Sequence, residues 1–235
     1  MITFHRTLIL FFSISLMAGC AGQSAIYNLD YSLPEETVIN NEVVVLSDYD
    51  KTWSDLVGEM SKSFYVINNI DKESRLINLS FSINTNISDY VDCGISNKTF
   101  SLAELNQRVS YKTADKSENY LSSTRNSAPP NTTYFKIFRS PSLEGRANVY
   151  VAPKGENTIV SVNTRYIWDV TVSYEEYIFM PLYGTHNLVR NKQRDPNANF
   201  DPVSFNTNSV GSNSEGLTCV ATGKFEQEIL DIVSK

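Results

Sequence analysis

The chain has 235 residues, of which 41% are hydrophobic and 20% charged, an ordinary globular balance, and its formal net charge is -6. That acidic excess argues against nucleic acid, whose affinity comes from neutralised phosphates, and against electrostatic adhesion to anionic lipid. One domain of roughly 200 residues is the natural size, and a chain that long buries enough surface to fold without a metal or a dense disulfide framework.

The polar residues are unusual in kind. Asn, Ser and Thr abound, and there are 13 Tyr. Such residues favour turns and exposed strand faces over helix interiors, so more sheet than helix is expected.

Residues 1–19 read as a secretory signal peptide. Arg6 and the amino terminus give the positive start, Leu8 to Leu16 the short apolar core, and Ala18-Gly19 the small residues before a cut. The apolar run is too short to span a bilayer, which needs roughly 20 apolar residues. Because Cys20 directly follows Leu16-Met17-Ala18-Gly19, the segment resembles a bacterial lipoprotein lipobox, with Met17 where leucine is commoner. The resemblance implies thioether-linked diacylglycerol on Cys20, cleavage before it, and a mature chain that starts there. The alternative is an ordinary signal peptide with an incidental cysteine. Ala21 stands where an Asp would resemble the inner-membrane retention signal, which points to the outer membrane and a periplasm-facing protein. Residues 20–36 then read as a polar tether.

Once Cys20 carries lipid, Cys93 and Cys219 remain, an even pair in an oxidising compartment, and a disulfide is expected between them. Two buried free thiols are the alternative. Two distant cysteines are too few ligands for a metal site.

Beyond the tether, Val43-Val44-Val45-Leu46 reads as a first core strand. Trp53, Leu56, Val57, Met60 and Phe64 then form one apolar stripe at helical spacing, predicting a helix over 47–64 with Ser47, Asp48 and Asp50 at its start. Residues 64–70 and 76–83 predict a hairpin turning through Asp71-Lys72-Glu73-Ser74, with Leu79, Phe81 and Ile83 on its buried face. Asp50-Lys51-Thr52-Trp53, Phe64-Tyr65-Val66-Ile67, Asp71-Lys72-Glu73-Ser74 and Leu76-Ile77 together resemble the helix-grip domains of bacterial envelope lipoproteins such as component C of the β-barrel assembly machinery. The match is made of structural positions and carries no functional motif. It implies an α+β fold: one domain over 37–235, an antiparallel sheet packed by two amphipathic helices.

Residues 84–132 are dominated by Asn, Ser, Thr and Lys and read as a long polar loop, apolar enough for a short element only over 100–109 and least ordered over 114–130. Within it, Asp89-Tyr90-Val91-Asp92-Cys93-Gly94 is a compact signature with no evident chemistry. Strands follow at 134–138 and 147–152. From Val160 to Tyr174 the even positions are apolar, aromatic or Thr and the odd ones polar apart from Ile167, which marks a half-buried strand. Fully extended it would run to about 50 Å, so a bulge or bend inside it is expected. Residues 184–214 read as a second polar loop, 216–221 as a short strand carrying Cys219, and 222–233 as a closing helix with Phe225, Ile229, Ile232 and Val233 on one face.

Catalytic chemistry has little support. His186 is the one histidine beyond the leader, and a lone loop histidine reads as polar surface. Neither a nucleophile elbow nor a phosphate loop is visible. The pairs Glu175-Glu176 and Asp89-Asp92 are what chance provides among 26 acids. Arg190, Lys192 and Arg194 form a small basic cluster, solvated or in contact with an acidic partner. The leading expectation is a non-enzymatic lipoprotein that binds another envelope protein or supports an assembly, with no cofactor and no metal. A carrier of a lipid or other apolar ligand, held between sheet and helix, is the alternative. An enzyme of glycan or cell-wall chemistry using carboxylates is the third.

Overall fold

A computed structural model describes residues 24–123, 131–199 and 201–234. The expected signal peptide, Cys20 and the beginning of the tether lie outside the described residues, as does 124–130 of the expected loop. In chain order the elements are β1 (Ile26–Ser32), β2 (Glu42–Val45), α1 (Tyr49–Met60), β3 (Val66–Asp71), β4 (Leu76–Ile83), β5 (Val91–Asp92), β6 (Ile95–Leu102), β7 (Leu105–Lys112), β8 (Tyr120–Ser122), β9 (Thr132–Lys154), β10 (Asn157–Met180), β11 (Thr185–Asn199), β12 (Val203–Asn206), β13 (Gly211–Ser212), β14 (Thr218–Ala221) and α2 (Lys224–Val233).

The long hairpin β9–β10 organises the rest. Its register runs without a shift from Lys154↔Asn157 at the turn to Thr132↔Phe179 at the far end. The two-residue turn is Gly155-Glu156, and only Gly155 has a positive φ (67°), the place where a type II′ hairpin turn needs glycine. The bulge expected within 160–174 is absent on this side. On the β11 side register shifts do occur, one between Thr171 and Ser173 inside that stretch and two more between Tyr174 and Tyr177. Along the outer edge of β10 lie β2, then β12, then β11; along the outer edge of β9 lie β4 and β8, with β3 beyond β4. Both long strands are therefore flanked on each side.

Period two decides what the hairpin buries. Val160, Val162, Tyr166 and Trp168 of β10 are fully buried, and their register partners in β9 are Val151, Val149, Gly145 and Leu143. Gly145 matters for packing: a Cβ there would stand 2.1 Å from Cε1 of Phe81, its cross-strand partner in β4. The missing side chain lets the Phe81 ring lie on the sheet, where it stacks on Phe225 of α2 with centroids 4.8 Å apart. Toward the far end the buried side changes, with Thr132 and Tyr134 of β9 and Phe179 of β10 inward at positions of opposite parity. There Phe100, Leu102, Tyr134 and Phe179 make a second, smaller cluster.

The helices form where the stripes predict them, but shorter. Asp48 caps α1, its carboxylate accepting from the Lys51 N–H at 2.9 Å, and Trp53, Leu56 and Met60 are buried. Tight backbone bonds from Ser61, Lys62 and Ser63 end the helix, so Phe64 falls outside it and is 60% exposed rather than core. Helix α2 begins at Gly223, whose φ is 84°. Its buried Phe225, Ile229 and Leu230 share one core cluster with α1 and the sheet.

Three expectations are corrected. The α+β, helix-grip-like fold is one: among the described residues the protein is β-rich, built from several antiparallel sheets with only two short helices. The second is the tether, because residues 26–32 form β1 and pair with β6 along its whole length. The third is the pair of polar loops. Residues 95–112 form the β6–β7 hairpin, completing a small sheet in the order β1-β6-β7, and residues 185–199 form β11. The reasons are physical. On β6 the buried positions are Ser96, Phe100 and Leu102 while Ile95 is exposed, so polar residues hide the alternation. Strand β11 is held by main-chain pairing to β10 and stays mostly wet, so it shows no apolar period.

The Cys93–Cys219 disulfide forms as expected, joining residues 126 apart, with both cysteines fully buried. It explains the 89–94 signature, which is a latch. Val91 and Asp92 pair with β14, and Asp92 accepts from the Gly94 N–H at 2.8 Å. Asp89 meets Lys224 of α2 at 2.8 Å. Gly94 (φ 73°) passes so close to β1 that a Cβ would stand 1.9 Å from the Ser32 carbonyl oxygen. Tyr31 of β1 closes the junction, its hydroxyl accepting from the Thr218 N–H and lying 3.0 Å from the carbonyls of Cys93 and Thr218.

Replacing both cysteines by alanine should lower the unfolding free energy by ~4–5 kcal/mol, the chain-entropy value for a loop this long. Urea denaturation reads this directly; a loss below about 1 kcal/mol would show that the loop's ends are already held together in the unfolded chain.

Candidate functional site

The small sheet lies over the half of the hairpin away from the Gly155 turn and encloses a cavity of about 140 Å³. Five strands bring tyrosines and cations to it. Period two on β6 turns Ser96 and Lys98 to the same side as Phe100 and Leu102. On β9, Arg139 sits opposite Val172 of β10, on the face that carries Val170. Tyr27 and Tyr31 come from β1, Tyr111 from β7 and Tyr120 from β8, while Glu215 and Leu217 close one side.

Lys98 Nζ sits 4.0 Å from the centroid of the Tyr120 ring and 3.3 Å from the Tyr27 hydroxyl. Arg139 is only 6% exposed. Its guanidinium donates to the Asp115 carbonyl at 3.0 Å and the Thr113 carbonyl at 2.8 Å, and its carbon lies 4.8 Å from the Tyr111 ring centroid. Tyr111 and Tyr120 stack on each other. Aromatic faces attract cations, most strongly where water is scarce, and here they take the place usually held by a carboxylate. No ion pair among the described residues includes Lys98 or Arg139.

Burial, and next the Arg139 charge, bring the Lys98 ammonium down from 10.5 to about 8. Burial pushes the hydroxyls of Tyr27, Tyr111 and Tyr120 upward, so they stay protonated beside it. A buried arginine, a half-buried lysine with a lowered pKa and several hydroxyl donors in one concave place mark a candidate binding site on physical grounds.

The residues singled out in the sequence go elsewhere. Cys93 and Cys219 meet in the disulfide, beside the cavity but not part of its lining, and Cys20 lies outside the described residues. His186 is part of β11 and not a loop: its ring stacks on Phe179 at 4.7 Å and its Nδ1 is 3.2 Å from the Tyr134 hydroxyl. Glu176 pairs with Arg190 at 3.4 Å, and Glu175 accepts from Tyr177 at 3.0 Å. Asp89 and Asp92 belong to the latch. Lys192 lies over the Phe138 ring at 4.3 Å, so the basic cluster of β11 is divided among separate contacts. One further buried charge has no forerunner in the sequence reading. Glu226 of α2 is fully buried and accepts from the hydroxyls of Tyr166 and Thr207, each at 2.9 Å. Bonded on both oxygens within the core, it reads as a structural knot. Lys98 and Arg139 gave no signal either, since a lysine within Asn-Lys-Thr looks solvated until the sheets close over it.

No protein-family model, curated protein or solved structure matches the chain, so the site stands on its own geometry.

A lysine held below its unfolded value makes the unfolded chain the better proton binder between pH 8 and 10.5, so this group's destabilisation is full below pH 8 and fades as pH rises through that window. Lys98→Met should therefore be more stable than the wild type at pH 7, by about 0.5–2 kcal/mol. The gap should narrow toward pH 9.5 in urea denaturation. An equal or less stable variant at pH 7 would contradict the assigned burial.

Proposed function

We propose that this protein is a lipoprotein of the bacterial envelope, held at the outer membrane by lipid on Cys20, facing the periplasm and acting by binding an envelope protein rather than by catalysis. The observation that carries it is the sequence Leu16-Met17-Ala18-Gly19-Cys20 at the end of a short apolar run. The Cys93–Cys219 bond supports an oxidising compartment and leaves Cys20 as the one cysteine outside a disulfide. Among the described residues no helix is long and apolar enough to cross a membrane, and in this reading the acyl chains provide attachment.

A protein partner is favoured by the β10–β11 end of the large sheet. Strand β11 is its edge, and the turn into it exposes Leu182 (81%) and Tyr183 (75%) beside the half-exposed Leu188 and Val189. An edge strand with apolar side chains in water is a ready template for a partner.

The carrier reading rests on a different feature. The interior between sheet and helices is filled by Leu56, Phe225 and Ile229, so a ligand would use the open groove of about 640 Å³ where Val43 and Val45 of β2 meet Ile232 and Val233 of α2. Displacement of a fluorescent fatty acid by unlabelled lipid would favour that reading.

Expressed with its leader in a diderm bacterium, the protein should yield an N-terminal peptide beginning at a diacylglyceryl-modified Cys20, and Cys20→Ser should move it from the membrane fraction to the soluble one. Mass spectrometry showing a free Cys20 thiol or an uncut leader would overturn the assignment.

A further inference from the structure

We propose that the cavity beneath the small sheet binds a phosphate monoester, its dianionic group held between Lys98 and Arg139 and its body against the tyrosine rings. The inference deepens the reading of the protein as a binder and is independent of the Cys20 anchor.

Charge is the first reason. Lys98 and Arg139 line one small cavity in a chain whose net charge is -6, and no carboxylate among the described residues pairs with either. Two like charges brought together partly out of water oppose folding, and aromatic faces offset only part of that cost. Such an arrangement is stable with a counter-ion between the charges, and a dianion matches two cations better than a carboxylate does. Phosphate monoesters carry about -1.5 to -2 near neutral pH.

Hydrogen-bonding capacity is the second. An ammonium has three N–H donors and a guanidinium five. Among the described residues Lys98 gives one bond, to the Tyr27 hydroxyl, and Arg139 gives two, both to carbonyls, so both cations hold donors in reserve. The Arg139 bonds to Thr113 and Asp115 also fix its orientation before any ligand arrives, which limits the entropy lost on binding.

Size and walls are the third. About 140 Å³ corresponds to roughly five water volumes, enough for a phosphate group and a short substituent. Tyr111 and Tyr120 offer rigid aromatic faces, and the exposed Leu29 adds an apolar rim. Glu215 stands exposed at the edge, where water screens its repulsion. The groups that face Lys98 are thus Tyr27 and Tyr31 from β1, Tyr111 from β7, Tyr120 from β8, Arg139 from β9, and Glu215 before β14.

The test is calorimetric titration of the purified full chain with inorganic phosphate, phenyl phosphate, dihexanoyl phosphatidic acid and acetate. Saturable binding of phosphate is expected, tighter for phenyl phosphate, with Lys98→Met weakening both about tenfold or more, as loss of a charge-assisted bond implies. Wild-type affinity should fall toward that of Lys98→Met as pH passes about 8, where the ammonium loses its proton. Glu215→Gln should bind as well as wild type or better. Tighter binding of dihexanoyl phosphatidic acid than of phenyl phosphate would place the phosphate on a lipid headgroup, and the reverse order on a free monoester. Three results would overturn the proposal: no saturable phosphate binding, unchanged binding by folded Lys98→Met, or acetate binding as tightly as phosphate. None of them would touch the lipid anchor.

Discussion

The structure depends on one uninterrupted register, that of β9 with β10. A two-residue turn with glycine in its first place starts the ladder, and because no residue is inserted or lost along it, one phase decides every side chain on both strands. A slip by a single position would turn Val160, Val162, Tyr166 and Trp168 outward and leave Asn163 and Arg165 facing the helices. The burial of that apolar face holds the phase. The strands β2, β12, β11, β4 and β8 then have fixed edges on which to pair, and α1 and α2 a fixed surface to cover.

The same hairpin runs past the helices, and there the chemistry changes. Near the turn the covered face meets Phe225, Ile229 and Leu56, and the one charge inside, Glu226, is closed by hydroxyls. Farther along, the cover is the β1-β6-β7 sheet, whose inward positions include serine and lysine as well as phenylalanine and leucine. The result is a cavity lined by two cations and three tyrosines, with Tyr27 against Lys98. An apolar set of side chains would fill that space at lower free energy, and polar groups kept at such a cost point to use. The Cys93–Cys219 bond and Tyr31 fasten the small sheet to β14 beside this cavity, limiting how far the cover can move.

Sequence patterns revealed the parts in which side-chain chemistry follows burial. The 160–174 alternation, the Trp53-Leu56-Met60 stripe, the 66–83 hairpin and the Cys93–Cys219 pairing all have that property. Strands β1, β6, β7 and β11 do not. Their pairing is main-chain work, their inward positions are partly Ser, Lys and Tyr, and their outward ones include Ile26 and Ile95. Polar composition therefore read as tether and loop, and with those strands discounted the remainder looked like a single sheet with two helices. The cavity was illegible for the same reason. Lys98 and Arg139 are separated by forty-odd positions of polar sequence, and only the closing of one sheet over another makes them neighbours.

Native-state hydrogen exchange tests the dependence of the fold on the hairpin most directly. The amides of Ser161, Asn163, Arg165 and Ile167, which face β9 because those of Val162 and Thr164 turn outward to Asn41 and Thr207, should exchange only through global unfolding, with protection equal to the full unfolding free energy. Those of Lys98 and Val109 in the small sheet should open earlier, at a lower free energy and with a smaller denaturant slope. Hairpin amides that exchange at or below the protection of the small sheet would contradict the account, because the ladder would then be a product of its surroundings and not their foundation.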